Sequence, residues 1–482
     1  MESRAYINGE FVNGKKRYPI ISPINLKEFS SAVALTKKEI DVAFAAARES
    51  QKLWKKYSRE ERIEFVSEFA NKLSEKKEEI AEVMLYEIGK PLEDSIVEIQ
   101  RTVELISETI YSYHNQLIEH VSGSTIGAQD KMITIIREPL GVVLAISPFN
   151  YPVNLALAKI IPAIISGNSV VFKPATNGSL TAYLIAQIFD EIKLPKGVFN
   201  LVTGKGSEIG DYLTQHKEPD AITYTGSTKI GLAISKNSML QSVILEMGGK
   251  DAALLLEDVV VSEVVSGIIK GAFSFSGQRC TAIKRVFVPK AIKKEFELEM
   301  KRAVAEIPIG DPVVNKVVVG PVIDLRTAKF QKKLIDDATT KGAKILIGGK
   351  INKNMVEPTV LVNVTPEMKI AKEEQFGPVL PIIYYTSLEE AIEEINDSEY
   401  GLQASIYTRD YEKALKISEE IEVGSVNINC PPSRGPDQLP FTGVKHSGFG
   451  VQGIKYSIES MTRPKNLVIF KKKNSSLFKK KK

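Results

Sequence analysis

A chain of 482 residues, 43% of them hydrophobic and with a mean hydropathy of -0.07, exceeds what one core organises, and none of its apolar runs approaches the ~20 residues of a membrane helix. The formal charge of +5 does not call for a nucleic-acid partner, because seven lysines in the last twelve residues more than account for it, and KKKNSSLFKKKK reads as a solvated, frayed end. Two cysteines, Cys280 and Cys430, exclude a disulfide framework, and His114, His120, His216 and His446 lack ligand spacing, so no metal is expected.

The first residues, MESRAYINGEFVNG, have neither the apolar core of a secretory signal nor a transit-peptide pattern, which makes the cytosol the expected location. The amino-terminal part reads as helical. Thr36 with Glu39 and Ser58 with Glu61 form capping boxes that open charged stretches with apolar residues at helical spacing, and Gly89 then Pro91 mark a stop and a new start. In the next helix Leu92, Ile96, Ile99, Val103, Ile106 and Ile110 make a narrow stripe that faces a core. Residues 120–139 alternate polar and apolar around AQDK, the pattern of an inserted hairpin.

From Gly141 the chain alternates short β-rich runs (VVLAIS, SVVFK, VFNLVT, AITYT, SVILE) with helical stretches starting near Tyr151, Leu180, Gly206 and Thr228. This interval predicts βαβ crossovers and a parallel sheet covered on both faces, a dinucleotide-type α/β domain. After Lys250 a second α/β series runs from DAALLL to about Ser447.

Three segments carry chemistry. GAFSFSGQRCTAIKR sets Cys280 after a helical stretch and before the strand KRVFVP, where a cation such as Arg279 can favour the nucleophilic thiolate. LEMGGKD brings Glu246 to the carboxyl edge of the sheet, the position of a general base. SPFNYP fixes Asn150 between two prolines, where its amide can donate to an oxyanion. Singly, a buried structural cysteine, a cap and a turn residue explain them as well; together they form a set. The glycine loops TGKGSEIG and TGSTKIG are not G-x-G-x-x-G, but each opens a helix where a phosphate can sit, and Lys173 ends the strand before them.

SPFNYP, FKPAT, TGSTKIG, LEMGGKD, GQRC and EEQFGP, in this order and at these distances, resemble the aldehyde dehydrogenase superfamily over essentially the whole chain. The resemblance implies a Rossmann-like cofactor domain (1–119 and 140–247), a catalytic α/β domain (248–447), and an oligomerisation arm with tail (120–139 and 463–482) that would build a dimer or tetramer. It implies Cys280 as nucleophile, Glu246 as base, and Asn150 with the Cys280 N–H as oxyanion hole. Cofactor contacts are expected from Phe149, Lys173, Thr176, Gly206, Asp211, Gly226, Ser227, Glu374 and Phe376.

Within the superfamily, GAFSFSGQRCTAIKR, YGLQASIYT and RGPDQLPFTGVKHSGFGVQGIKYSIESM look most like the non-phosphorylating glyceraldehyde-3-phosphate dehydrogenases of glycolysis, which make 3-phosphoglycerate directly and irreversibly. Thr176 favours NADP over NAD on separate grounds, since a neutral residue does not repel a 2′-phosphate. Substrate contacts are then expected from Arg101, Asn150, Arg279, Thr281 and Arg434, arginine being suited to a phosphate. Pattern alone puts Arg101 on a solvated face between Glu98 and Glu104, Arg279 can serve only to tune the thiol, and LIEHVS lacks a further basic residue that the subgroup leads one to expect. The alternatives are a dehydrogenase of another small aldehyde, such as lactaldehyde or a semialdehyde, and, from a different class, a cysteine hydrolase pairing Cys280 with His446 in space.

Overall fold

The computed structural model describes residues 2–116 and 119–470; Leu117 and Ile118 of the LIEHVS segment and the lysine-rich tail lie outside them. Five parallel strands, β1 (Val142–Ile146), β2 (Ser169–Lys173), β3 (Phe199–Leu201), β4 (Ala221–Thr225) and β5 (Ser242–Glu246), run in the order 3-2-1-4-5. Every residue of β1, β2 and β4 is buried, as expected of strands covered by helices on both faces. Short antiparallel strands extend the sheet at both sides: Ala5–Ile7 and then Glu10–Val12 beyond β3, and Gly448–Phe449 beside β5.

A second sheet contains β6 (Ala252–Leu255), β7 (Arg285–Pro289), β8 (Thr359–Val362), β9 (Val379–Tyr385), β10 (Gln403–Tyr407) and β11 (Ser425–Ile428), parallel and ordered 8-9-7-6-10-11, with Lys344–Ile347 antiparallel beside β8. Both sheets are the doubly wound type that the βαβ alternation predicts. The inserted hairpin, Glu119–Ser122 with Lys131–Pro139, takes Thr462–Phe470 as a third antiparallel strand, in register from Thr462 opposite Pro139 to Phe470 opposite Lys131. Eight of the nine residues of that last strand are exposed, Leu467, Val468, Ile469 and Phe470 among them.

Both capping boxes form, with Thr36 and Ser58 each accepting from the backbone N–H three residues on. Gly89 ends its helix in the left-handed region at φ 70°. Two expectations need correction. Residues 5–34 form strands rather than helix, and the local signal was Asn8–Gly9, whose positive φ values of 52° and 76° make the tight turn between Ala5–Ile7 and Glu10–Val12.

The helix Leu92–His114 buries Ser95, Glu98, Ile99, Thr102, Leu105, Ile106, Thr109 and Tyr113, a face rotated from the expected stripe, while Leu92 is exposed. Polar groups can sit there because most are satisfied, the Ser95 hydroxyl being the exception. Thr102 and Thr109 donate to carbonyls one turn back, and Glu98 accepts from the N–H groups of Val153 and Asn154 at the start of the helix Asn154–Ile165.

Candidate active site

Cys280, Asn150, Glu374 and Phe376 line one cleft of about 500 Å3, which extends past the carboxyl ends of β1, β2 and β4. Open parallel sheets bind ligands at this edge, where strand order reverses between β1 and β4. The helix Val261–Phe273 leads to Cys280 through a tight turn in which Phe275 (φ 49°), Ser276 (φ 56°) and Gly277 (φ 69°) are all left-handed. A Cβ on Gly277 would meet the Gly377 carbonyl oxygen at 2.6 Å, so this glycine is required by space as well as by φ.

Asn150 is buried, and its amide donates to the Gln278 carbonyl at 2.9 Å, two residues before the cysteine. Its loop is fastened from behind by a buried ion pair between Lys90 and Glu98. Lys90 also donates to the Asn150 carbonyl at 3.4 Å and lies 3.6 Å from the centroid of the Tyr151 ring. Sequence pattern missed both residues, because Glu98 reads as an ordinary helix-surface acid.

Glu246 ends β5 buried and strongly held. Its oxygens accept from Thr225 Oγ1 at 2.6 Å, Arg434 Nη1 at 2.9 Å and Lys159 Nζ at 3.5 Å. Burial pushes its carboxyl up, but Arg434, Lys159 and Thr225 together outweigh it and hold the group below the usual carboxylate range. Glu246 does not line the cleft in this conformation. Lys159, which sequence reading also passed over, is wholly buried and is brought down to about 8 by desolvation, the attraction of Glu246 working against this.

Burial pushes the Cys280 thiol up to about 11, with Lys284 and Arg434 lowering it and Glu246 and Asp251 raising it. Arg279, adjacent in sequence, directs its Nη2 to the Lys270 and Gly271 carbonyls. The guanidinium is thereby used as a brace on the end of the preceding helix. Thr281, next to the nucleophile, is buried. Arg101 is half exposed, as the helix pattern indicated, and its Nη2 donates to the Arg434 carbonyl at 2.7 Å and approaches Asp437 at 3.7 Å. His446 is exposed and faces Glu399 at 3.9 Å, and no histidine lines the Cys280 cleft among the described residues, which removes the base a cysteine hydrolase would need.

The same cleft suits a dinucleotide. Lys173 is buried, donates only to the Pro174 carbonyl at 2.7 Å, and has no carboxylate at ion-pair distance among the described residues; desolvation brings it down to about 8. A buried ammonium without a counter-ion fits an incoming anion. Gly206 lines the cleft at the start of the helix Gly206–Thr214, with Gly210 and Asp211 one turn on, and Gly226 and Ser227 line it just before Thr228–Asn237; the first turn of a helix favours phosphate. Phe149 and Phe376 meet edge to face at 6.1 Å between centroids. Ala175 lines the cleft whereas Thr176 does not, Thr176 instead accepting from Ser179 Oγ through its carbonyl.

A doubly wound sheet of order 3-2-1-4-5, with a cysteine, an amide and a lysine that has no ion-pair partner among the described residues all lining one cleft at its carboxyl edge, defines a dinucleotide-dependent enzyme with a thiol in its cleft. The chain belongs to the aldehyde dehydrogenase family, whose sequence model matches residues 11–467. The NADP-dependent glyceraldehyde-3-phosphate dehydrogenase of Streptococcus equinus is 44% identical over 467 residues, 96% of this chain and 98% of that one. The enzyme of the same name from Pisum sativum is 42% identical over 470 residues, 96% of this chain and 94% of that one. The solved structure of NADP-dependent glyceraldehyde-3-phosphate dehydrogenase from Bacillus halodurans complexed with NADP superposes with a TM-score of 0.96 at 44% identity, covering 98% of this chain and all of that one.

Proposed function

We propose that this chain oxidises glyceraldehyde 3-phosphate to 3-phosphoglycerate with NADP, through a thioester on Cys280 that water hydrolyses. The observation that carries the reading is the one cleft that Cys280, Asn150 and Lys173 all line, Lys173 having no carboxylate at ion-pair distance among the described residues. The names and the identity of the relatives support the same substrate and cofactor.

When bound, the nicotinamide cofactor supplies a hydride acceptor. Lys173, with the helix starts at Gly206 and Ser227, would hold its phosphates or ribose, and Glu374, Phe149 and Phe376 would hold the nicotinamide and its ribose. The Cys280 thiolate forms a C–S bond to the aldehyde carbon, and the Asn150 amide with the Cys280 N–H stabilises the alkoxide oxygen. Loss of hydride from that carbon leaves the thioester on Cys280. Glu246 then takes a proton from water, the C–S bond breaks as the hydroxide adds, and the carboxylic acid leaves. Arg434 and Arg101, linked through the Arg434 carbonyl, are the arginines that hold the substrate phosphate.

On this reading residues 1–119 and 140–247 are the cofactor domain and 248–447 the catalytic domain. The exposed apolar strand Thr462–Phe470 is the oligomerisation surface of a cytoplasmic dimer or tetramer. No helix among the described residues is long and apolar enough to cross a membrane.

A steady-state assay crossing glyceraldehyde 3-phosphate, glyceraldehyde and lactaldehyde with NADP and NAD, with and without inorganic phosphate, tests it. The expected result is a kcat/KM at least ~100-fold higher for the phosphorylated aldehyde, preference for NADP, and no phosphate requirement. Equal use of glyceraldehyde rejects the substrate, and dependence on phosphate rejects hydrolysis by water.

A further inference from the structure

We propose that Lys284 is a positioning residue that couples occupation of Glu374 by the cofactor to the reactivity of Cys280. This rests on the dehydrogenase reading above. Lys284 is essentially inaccessible, behind the cleft, on the loop between Cys280 and β7. Its ammonium donates to the Cys280 carbonyl at 2.5 Å and lies 3.4 Å from Glu374 Oε1. Cys280 and Glu374 both line the cleft, so one lysine touches the nucleophile's own backbone and the carboxylate at the nicotinamide end.

The surrounding chain is shaped to bring these groups together. A Cβ on Gly248 would meet Glu374 Oε2 at 2.1 Å, and one on Gly249 would meet the Cys280 carbonyl oxygen at 3.2 Å and Asp251 Oδ1 at 2.8 Å. The two glycines that follow the Glu246 strand are therefore the space into which the carboxylate and the cysteine carbonyl fit. Gly249 also donates its N–H to Glu374 Oε1 at 3.1 Å.

The electrostatic consequence follows from the charges around the thiol. Lys284 and Arg434 favour the thiolate, and Glu246 and Asp251 oppose it. Arg434 is engaged by Glu246, while the field of Lys284 is offset by Glu374. Hydroxyl donors from a ribose would satisfy Glu374 and leave more of the Lys284 field acting on sulfur. Binding of the cofactor then makes the thiol more acidic without moving the backbone.

The test is the pH dependence of Cys280 alkylation by iodoacetamide, measured with and without NADP in a Cys430→Ser background, with NADP binding followed separately by fluorescence. In the parent protein NADP lowers the titration midpoint by at least ~1 pH unit. Lys284→Met abolishes that shift while still binding NADP, and Lys284→Arg restores most of it. Glu374→Gln, which keeps its size, lowers the midpoint already without NADP, and NADP adds little further. A full NADP-induced shift in Lys284→Met, or a resting midpoint in Glu374→Gln equal to that of the parent, overturns the coupling, and Glu374→Gln decides it alone if Lys284→Met does not fold. A parent protein that binds no NADP would instead defeat the dehydrogenase reading, and the coupling with it.

Discussion

Arg434 donates to Glu246 at 2.9 Å, so one of the arginines assigned to the substrate phosphate is bound to the carboxylate assigned to activate water. Its other terminal nitrogen donates to Gln452 at 2.6 Å, and its guanidinium lies over Phe441 at 4.6 Å. The carboxylate is thus kept ionised but occupied, and to act as the proposed base it must leave this arginine. A substrate phosphate that draws Arg434 away would release it.

Replacing Arg434 by Leu should move the acid limb of deacylation to higher pH. Burial raises the Glu246 pKa and Arg434 is the strongest of the groups opposing it, so without the arginine the carboxyl protonates at a higher pH. Single-turnover hydrolysis of an acyl-enzyme made from an unphosphorylated aldehyde, between pH 5 and 8, separates this from loss of phosphate binding. An unshifted limb would mean that Lys159 and Thr225 suffice.

Glu246→Gln should preserve acylation and slow hydrolysis by roughly 10²–10⁴-fold. The expected signature is a burst approaching one reduced cofactor per Cys280, followed by a slow steady state. Loss of the burst as well would place Glu246 in acylation.

Asn150→Ala should cut the acylation rate by roughly 10²–10³-fold, the usual cost of one oxyanion donor, with little change in NADP affinity. Because the Asn150 amide also anchors the Gln278 carbonyl, thermal unfolding of the variant should be measured beside its kinetics. An acylation rate within about twofold of the parent would remove Asn150 from the oxyanion hole.

Lys173→Met should stabilise the cofactor-free protein while weakening NADP binding by at least ~10-fold. The lysine titrates at about 8 when folded against an ordinary 10.5, so between these values the unfolded chain binds more protons and stability rises with pH. Its burial cost is fully present below pH 8 and relieved as pH approaches 10.5. Urea unfolding should show Lys173→Met more stable than the parent at pH 7 by up to ~3 kcal/mol, the difference shrinking towards pH 10. A constant difference across that range would mean that Lys173 is not the group titrating.

Much of the site was legible from local sequence. The βαβ alternation depends only on a change of hydrophobic period, and Glu246, Asn150 and Cys280 each lie beside glycine, proline or strand-end signals that can be read over a few residues. Lys90, Glu98, Lys159 and Lys284 were not legible in this way. Each is a charged side chain in a segment that locally resembles surface or ordinary helix, and its burial depends on a partner 8, 55, 87 or 90 residues away.

Arg279 marks the opposite case, a cation beside the nucleophile in sequence whose guanidinium turns away to helix carbonyls. Sequence by itself determined the two α/β series and the inserted hairpin and marked Cys280, Asn150 and Glu246 as the candidate reacting groups, because hydrophobic periodicity and turn chemistry are local. Only the tertiary structure decided which charges face one another, that Glu246 is held by Arg434 and Lys159, and that Lys284 bridges Cys280 and Glu374. A buried ion's pKa and contacts are set by groups brought together through folding, and no spacing along the chain encodes their distance.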